Sequence, residues 1–341
     1  MKIRAFITQH KAEKIAECQD RLSVNKDTKT VAISDGVSQS IFPDYWAQIL
    51  VDYYTQNGLP PTEDDRIRLC KEWKGQVLQF IKDEKAKGND PWRTESNLCE
   101  GISAGATLCG VCFENEKDWI CEVIGDSCLI KVDKNNHIDI LSSEDKKFDT
   151  YPDYLDSNPN KKGRGTFKKF SGLISEDDKL ILVSDPFSDF FYNLKEQSAN
   201  YIEQLLNIAT HDEFVSLVSR WRESGMHNDD STVIIIEWDN SSDFNIVSVD
   251  NLLDLIETEK KEAEKRIEQR VKINNVDDFK QKCFEQITPF VNNFTENEIT
   301  SPKYTQYKQL LRYICGKKNK KTTKLSSFLE EVLKDFVETI K

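Results

Sequence analysis

Residues 31–40 read VAISDGVSQS. Val31, Ala32 and Ile33 make a short apolar run with β-branched ends, the composition of a buried strand. The run stops at Ser34-Asp35-Gly36, where an acid meets a glycine that can take backbone conformations other residues resist. Such a corner can turn a carboxylate and a neighbouring carbonyl oxygen towards one point, which suits a hard divalent cation. An ordinary Asp-Gly turn explains the same residues when they stand alone. What separates the two readings is how often the pattern recurs along the chain.

Upstream, Ile3, Ala5 and Ile7 alternate through residues 2–8, which predicts a strand. Cys18 to Val24 places Asp20 just before another short strand, Asn25 to Lys29 is a polar turn, and Thr30 to Ser34 returns. This predicts a hairpin with Asp20 near the start of one arm and Asp35 at the end of the other. Downstream, Pro43 opens a helix, where its missing N–H is no loss. Trp46, Ile49, Leu50 and Tyr53 share one face of it. A second helix is predicted over Glu63 to Lys85, with Ile67, Cys70, Trp73, Val77 and Phe80 along one side.

From Gly101 strands take over, running to Phe113, then Trp119 to Ile124 and Cys128 to Val132, with Gly125-Asp126-Ser127 between the last two. Residues 142–178 are polar and irregular, a length of loop that is usually functional or disordered. Lys179 to Val183 is a buried strand ending at Ser184-Asp185, and Asp189 follows at the beginning of a helix rich in phenylalanine. Two further helical patterns lead to His227-Asn228-Asp229-Asp230-Ser231 and the all-apolar strand Val233 to Ile236. Beyond residue 250 the composition shifts to charged helical segments with a basic island at Lys317 to Lys324. The expected organisation is a domain over 1–245 and a charged helical extension over 250–341.

The chain has 341 residues with a formal net charge of -12, from 59 acids and 47 bases. That balance argues against general nucleic-acid or anionic-membrane binding. No apolar run approaches the roughly 20 residues of a membrane span, and no signal-peptide core follows Met1, so a cytoplasmic protein is expected. Nine cysteines are scattered from Cys18 to Cys315. Cys109 and Cys112 have CxxC spacing but lie inside an apolar strand pattern, with no second CxxC to complete a zinc site.

Asp20, Asp35, Asp126, Asp185 and Asp229 each fall at or beside a predicted strand end. Converging carboxylates repel and raise one another's pKa unless a cation compensates them. An oxygen-only ligand set favours Mg²⁺ or Mn²⁺ over zinc. Two such ions about 3.5–4 Å apart can hold a bridging water and polarise a phosphoryl group for in-line attack. Ordinary turn aspartates remain the alternative at each single position.

The ordered segments Gln19-Asp20, Asp35-Gly36, Gly105-Ala106-Thr107, Gly125-Asp126-Ser127, Ser184-Asp185-Pro186 with Asp189, and Asp229-Asp230-Ser231-Thr232-Val233 resemble the metal-dependent protein serine/threonine phosphatases of type 2C, the PPM family, in its bacterial form. The likeness covers roughly residues 1–240. It implies an α+β fold, a four-layer α-β-β-α sandwich of two antiparallel sheets with the metals at one edge. It implies catalytic roles for Asp35 and Asp20. Two Mn²⁺ or Mg²⁺ ions would be held by Asp35, the Gly36 carbonyl, Asp185 and Asp229, with Asp20 acting through bound water. Asp126 and Asp189 match a third, weaker metal site. Residues 142–178 fall where the family has a flap beside the active site.

The chain also departs from that pattern. The first acid of the family's pair is Gln19, and its phosphate-gripping arginine is replaced by Ile15. Lys14 is nearby as a substitute, though only as a point charge without the bidentate fork. Val37 stands where some eukaryotic members carry a histidine, and Pro186 replaces a glycine. His227 neighbours Asp229, with its near-neutral pKa to recommend it. The resemblance implies a phosphatase acting on a phosphorylated protein, with a kinase as a second partner. Gln19 and Ile15 leave open a catalytically weak phosphatase-like module that binds a partner or phosphoprotein, and a small-molecule phosphoesterase is a third reading. The C-terminal helices read equally as a solvated pack or a docking element.

Overall fold

The hairpin that leads to Asp35 forms one edge of one of two main sheets. The computed structural model describes residues 1–135, 137–143, 153–161, 163–194, 198–239 and 243–271, with side chains to residue 265. Met1–Thr258 forms one compact unit and Glu259–Lys341 a second. The helices expected beyond residue 271, and residues 144–152 of the expected flap, lie outside the described residues.

The strands are β1 (Lys2–Thr8), β2 (Arg21–Asn25), β3 (Thr30–Ser34), β4 (Gly105–Ala106), β5 (Leu108–Phe113), β6 (Asp118–Ile124), β7 (Cys128–Val132), β8 (Ile138–Leu141), β9 (Leu155–Asp156), β10 (Lys168–Leu173), β11 (Lys179–Val183), β12 (Ser231–Glu237) and β13 (Asn245–Val249). The helices are α1 (Pro43–Asn57), α2 (Glu63–Ala86), α3 (Trp92–Cys99), α4 (Asp185–Leu194), α5 (Ser198–Leu206), α6 (His211–Glu223) and α7 (Leu252–Val271). The larger sheet runs β13-β1-β12-β11-β7-β8 and the other β10-β6-β5-β3-β2, with β4 and β9 forming a separate pair. Pairing is antiparallel except between β13 and β1. The result is a mixed α+β protein built on antiparallel sheets. Among the described residues no helix is long and apolar enough to cross a membrane.

Side-chain alternation along the strands explains why β12 is apolar throughout. Ile234 and Ile236 join Ile3, Ile33, Val111, Val123 and Leu182 in a cluster drawn from both sheets. Val233 and Ile235 face the other way, onto Phe187, Phe191, Phe214 and Trp221 of α4 and α6. A strand covered on both faces has no position for a polar side chain in its middle. On the second sheet, Ala32 and Leu108 meet Trp46, Leu50 and Tyr54 of α1 and Leu69 and Trp73 of α2. Pro43 starts α1 and Gly58, at φ 71°, ends it, while Thr62 and Asp65 cap α2 reciprocally.

One local reading changes. Residues 142–178 are not irregular throughout: β10 pairs along its whole length with β6, Lys168 opposite Val123 through Leu173 opposite Asp118. Its KKFSGL pattern alternates half-buried and exposed positions, and the turn residues around it mask that period. The thiols of Cys109 and Cys112 lie on one strand three residues apart, which turns them to opposite faces.

Candidate metal centre

Asp35 leaves β3 at its C-terminal end, and the Gly-Ala-Thr segment fixes it there. Thr107 N–H donates to the Asp35 carbonyl at 2.9 Å, and Asp35 N–H donates to the Thr107 hydroxyl oxygen at 3.0 Å. Ser34 Oγ donates to the Thr107 carbonyl, and Val37 N–H to Gly105. The hydroxyls of Thr107 and Ser127 meet at 2.9 Å, so the Gly-Asp-Ser turn bearing Asp126 is tied to the same threonine. Gly36 sits in a tight cradle: a Cβ there would lie 2.8 Å from the Pro43 side chain and 3.1 Å from the Gln19 carbonyl oxygen. Only glycine lets the chain pass at that distance from both.

A second set of hydroxyls positions the other acids. Ser184 N–H donates to the Thr232 carbonyl at 3.1 Å, and Thr232 N–H returns to Ser184 Oγ at 2.9 Å. That exchange locks the end of β11 beside the start of β12 and sets the place of Asp185. Ser188 Oγ lies 2.8 Å from the Asp126 carbonyl oxygen and 3.0 Å from that of Asp185, joining two acid-bearing segments. Asp230 holds the N-terminal loop, accepting from the backbone N–H groups of His10 at 2.8 Å and Gln19 at 2.6 Å. Arg222 of α6 donates to the Asp229 carbonyl and to Ser231 Oγ.

These segments surround a cleft of about 440 Å³ lined by Asp35, Asp126, Asp185, Asp229 and Asp230, with Gly36, Thr107, Tyr154, Arg164 and His227 also on its surface. Asp20 lies beneath it, 1% exposed. Burial, then the Asp230 carboxylate, pushes Asp20 up to about 7. The Ser184 and Thr232 hydroxyls point at Asp20 and favour its ionised form, yet neither carboxylate oxygen closes a hydrogen bond of normal geometry. Asp35 is raised well above the usual carboxylate range by burial, then by Asp20 and Asp185. Asp185 is raised by burial, then by Asp126 and Asp229.

Among the described residues no three histidine, cysteine, aspartate or glutamate side chains are arranged as a ready metal cage. The donor set nevertheless fits a hard cation. It is oxygen throughout, and it contains a buried carboxylate with both oxygens lacking a hydrogen-bond partner.

Of the residues expected at the site, Asp35, Gly36, Asp126, Asp185 and Asp229 line the cleft and Asp20 underlies it. Asp189 stands further along α4, accepting from Asn193 at 3.0 Å, and is outside the lining. Lys14 is exposed on the turn before Ile15–Glu17 and is also outside it. Ile15 is buried with Ile7 and Cys18 against Leu22, Leu252, Leu255 and Ile256. His227 lines the cleft, its ring 3.8 Å from Asp229. Sequence reasoning missed Arg164 and Tyr154, which sit in the segment read as irregular, and the loop-holding role of Asp230. For Asp230 the available signal is an acid beside a metal-type acid at a turn; its two backbone donors come from segments more than 200 residues away.

No family model matches the sequence, and no curated protein matches it. Among solved structures, the chain is similar to the serine/threonine phosphatase Stp1 from Staphylococcus aureus, at 14% identity and a TM-score of 0.46, over 70% of this chain and 95% of that one. It is similar to PppA, a regulatory component of T6SS in Pseudomonas aeruginosa, at 14% and 0.44, over 70% and 98%. It is also similar to the catalytic domain of the serine/threonine protein phosphatase PstP in complex with two manganese ions, at 13% and 0.43, over 68% and 96%. At these identities and scores the likeness decides nothing about activity.

Proposed function

We propose that this chain is a metal-dependent phosphatase that hydrolyses phosphoserine or phosphothreonine monoesters in a protein substrate, with the kinase that makes the substrate as a second partner. The observation that carries the reading is the gathering of Asp20, Asp35, Asp126, Asp185 and Asp229, from separate segments, around one cleft. Keeping such a group together without a cation is costly, because each carboxylate raises the pKa of its neighbours. An α-β-β-α sandwich over residues 1–245 is the architecture that the three apolar clusters support.

On this reading Asp35, the Gly36 carbonyl, Asp185 and Asp229 would hold two Mn²⁺ or Mg²⁺ ions, with Asp20 beneath them and Asp126 at a third site. When bound, the ions supply an activated water and neutralise charge on the phosphoryl group. The remaining work belongs to the chain. Thr107 fixes the Asp35 backbone from both sides, Ser184 and Thr232 set the height of Asp185, and Asp230 holds the Gln19 loop against the floor. Ligands preset in this way need little rearrangement as charge develops.

A second reading, a catalytically weak phosphatase-like module, draws on Ile15, whose apolar burial removes the family's phosphate contact. Hydrolysis of p-nitrophenyl phosphate across a Mn²⁺ titration, beside Asp35→Ala, separates the two. Turnover that rises with metal and disappears in the variant supports the enzyme. Calorimetric Mn²⁺ binding with no turnover on any phosphoester supports the module.

A further inference from the structure

We infer that Arg164 binds the substrate's phosphate, replacing from the opposite wall the arginine that this chain lacks at Ile15. The inference rests on the phosphatase reading. Among the described residues, a phosphate dianion entering this cleft meets five lining carboxylates and one permanently charged cation, Arg164. Neither N-terminal substitute is available, since Ile15 is buried in an apolar cluster and Lys14 lies outside the lining.

The backbone of Arg164 is built to present it. Tyr154 N–H donates to the Arg164 carbonyl at 2.9 Å, and Arg164 N–H returns to the Tyr154 carbonyl at 3.0 Å. This two-residue bridge is flanked by Gly163 at φ 74° and Gly165 at φ 81°. A Cβ on Gly163 would collide with the Tyr154 carbonyl oxygen, and one on Gly165 with the Asp153 carboxylate. Both glycines are therefore required for the close approach, and they leave Arg164 as the only side chain of the three. Tyr154 in turn leans on the floor: its ring lies 2.8 Å from where a Cβ of Gly105 would stand, next to the residues that fix Asp35. Wall and floor are thus packed in register.

The side chain is oriented as well. Arg164 Nε faces Asp153 Oδ1 at 3.5 Å, and the side chain is 52% exposed. A contact through Nε steers the guanidinium while leaving the two Nη groups for a forked contact with phosphate oxygens. An exposed pair of this kind contributes little to stability, so its effect is on direction.

The test uses the full chain equilibrated with Mn²⁺ and inorganic phosphate as the probe, titrated by calorimetry, with p-nitrophenyl phosphate kinetics alongside. Arg164→Ala is expected to weaken phosphate binding about 10-fold and to lower kcat/KM by a similar factor, mostly through KM. Arg164→Lys recovers only part, because an ammonium cannot fork. It also checks that lost binding is not lost folding. Lys14→Ala leaves both readouts unchanged. Phosphate affinity of Arg164→Ala within about twofold of wild type overturns the inference. Absence of wild-type turnover defeats the phosphatase reading alone. The phosphate titration then still decides Arg164, for it if binding depends on that residue and against it if wild type binds no phosphate.

Discussion

On the floor of the cleft, Asp35 is held by Thr107, and Asp185 by the Ser184–Thr232 exchange, through hydroxyls within a residue or two of a strand end. The wall across from them is held from a distance. Arg66 of α2, 4% exposed, donates to the carbonyls of Asp156, Asn158, Pro159 and Lys161, about 90 residues further along the chain. Floor residues are chosen for their chemistry, and each can be replaced by few others. Wall residues are placed by backbone carbonyls, which every amino acid supplies. The difference teaches that the metal-facing half of the cleft is constrained residue by residue, and the other half at its anchor Arg66 and at the Gly163–Gly165 triplet.

The severest way to break the floor is Asp35→Ala. It is expected to lower Mn²⁺-dependent turnover by about three orders of magnitude, the upper range for removing one charge-stabilising group. Steady-state kinetics at saturating metal measure it.

The next effect is on stability in chelator. Asp20, Asp35 and Asp185 have raised pKa values in the folded state. Their protonated forms therefore favour folding, a contribution fully present below the ordinary carboxylate value of about 4. It is lost as pH rises through the folded values, about 7 for Asp20. Melting temperature in chelator should fall by about 10 °C between pH 5 and 8 and recover on adding Mn²⁺ at pH 8. Asp35→Asn should flatten that profile; an unchanged slope in the variant would remove Asp35 from the coupled group.

Arg66→Leu probes the wall. Glu63, its ion-pair partner, is 69% exposed, so the pair itself contributes little. The carbonyls left without a donor carry the cost, about 2–3 kcal/mol by chemical denaturation, with KM rising more than kcat falls. Thr107→Val removes one hydroxyl under Asp35 and its partner contact with Ser127. It should cost about 1–2 kcal/mol and, unlike Arg66→Leu, lower Mn²⁺ affinity in calorimetry. If the two variants shifted metal affinity alike, floor and wall would not be separable in this way.

The same contrast explains what could be read in advance. The hairpin, α1 and α2 follow from apolar period and capping residues, and the Asp-Gly, Gly-Ala-Thr and Gly-Asp-Ser segments point to the floor because their residue types are dictated there. Arg164 gave no such signal. It stands in a Gly-Arg-Gly triplet amid polar residues, and its partners, Tyr154 and Asp153, are known only once the chain is folded. Strand β10 was hidden for a related reason, since pairing along one edge needs no apolar run. Lys14 looked closest in sequence to the phosphate position, but the buried Ile15 beside it packs against α7 rather than facing the cleft.

That last contact bears on how the chain can be cut. Leu252, Leu255 and Ile256 cover Ile7, Ile15 and Cys18, while Asp250 accepts from Ile7 N–H at 2.9 Å and pairs with His211 at 2.7 Å. Excision of residues 250–341 to look for a lost partner would strip a greasy lid and one polar tie from the strand leading to Asp20, and a second tie from α6. A product that clumped or lost activity would then report damage to the part kept. Cutting after Thr258, where the first compact unit ends, removes the tail and keeps the lid.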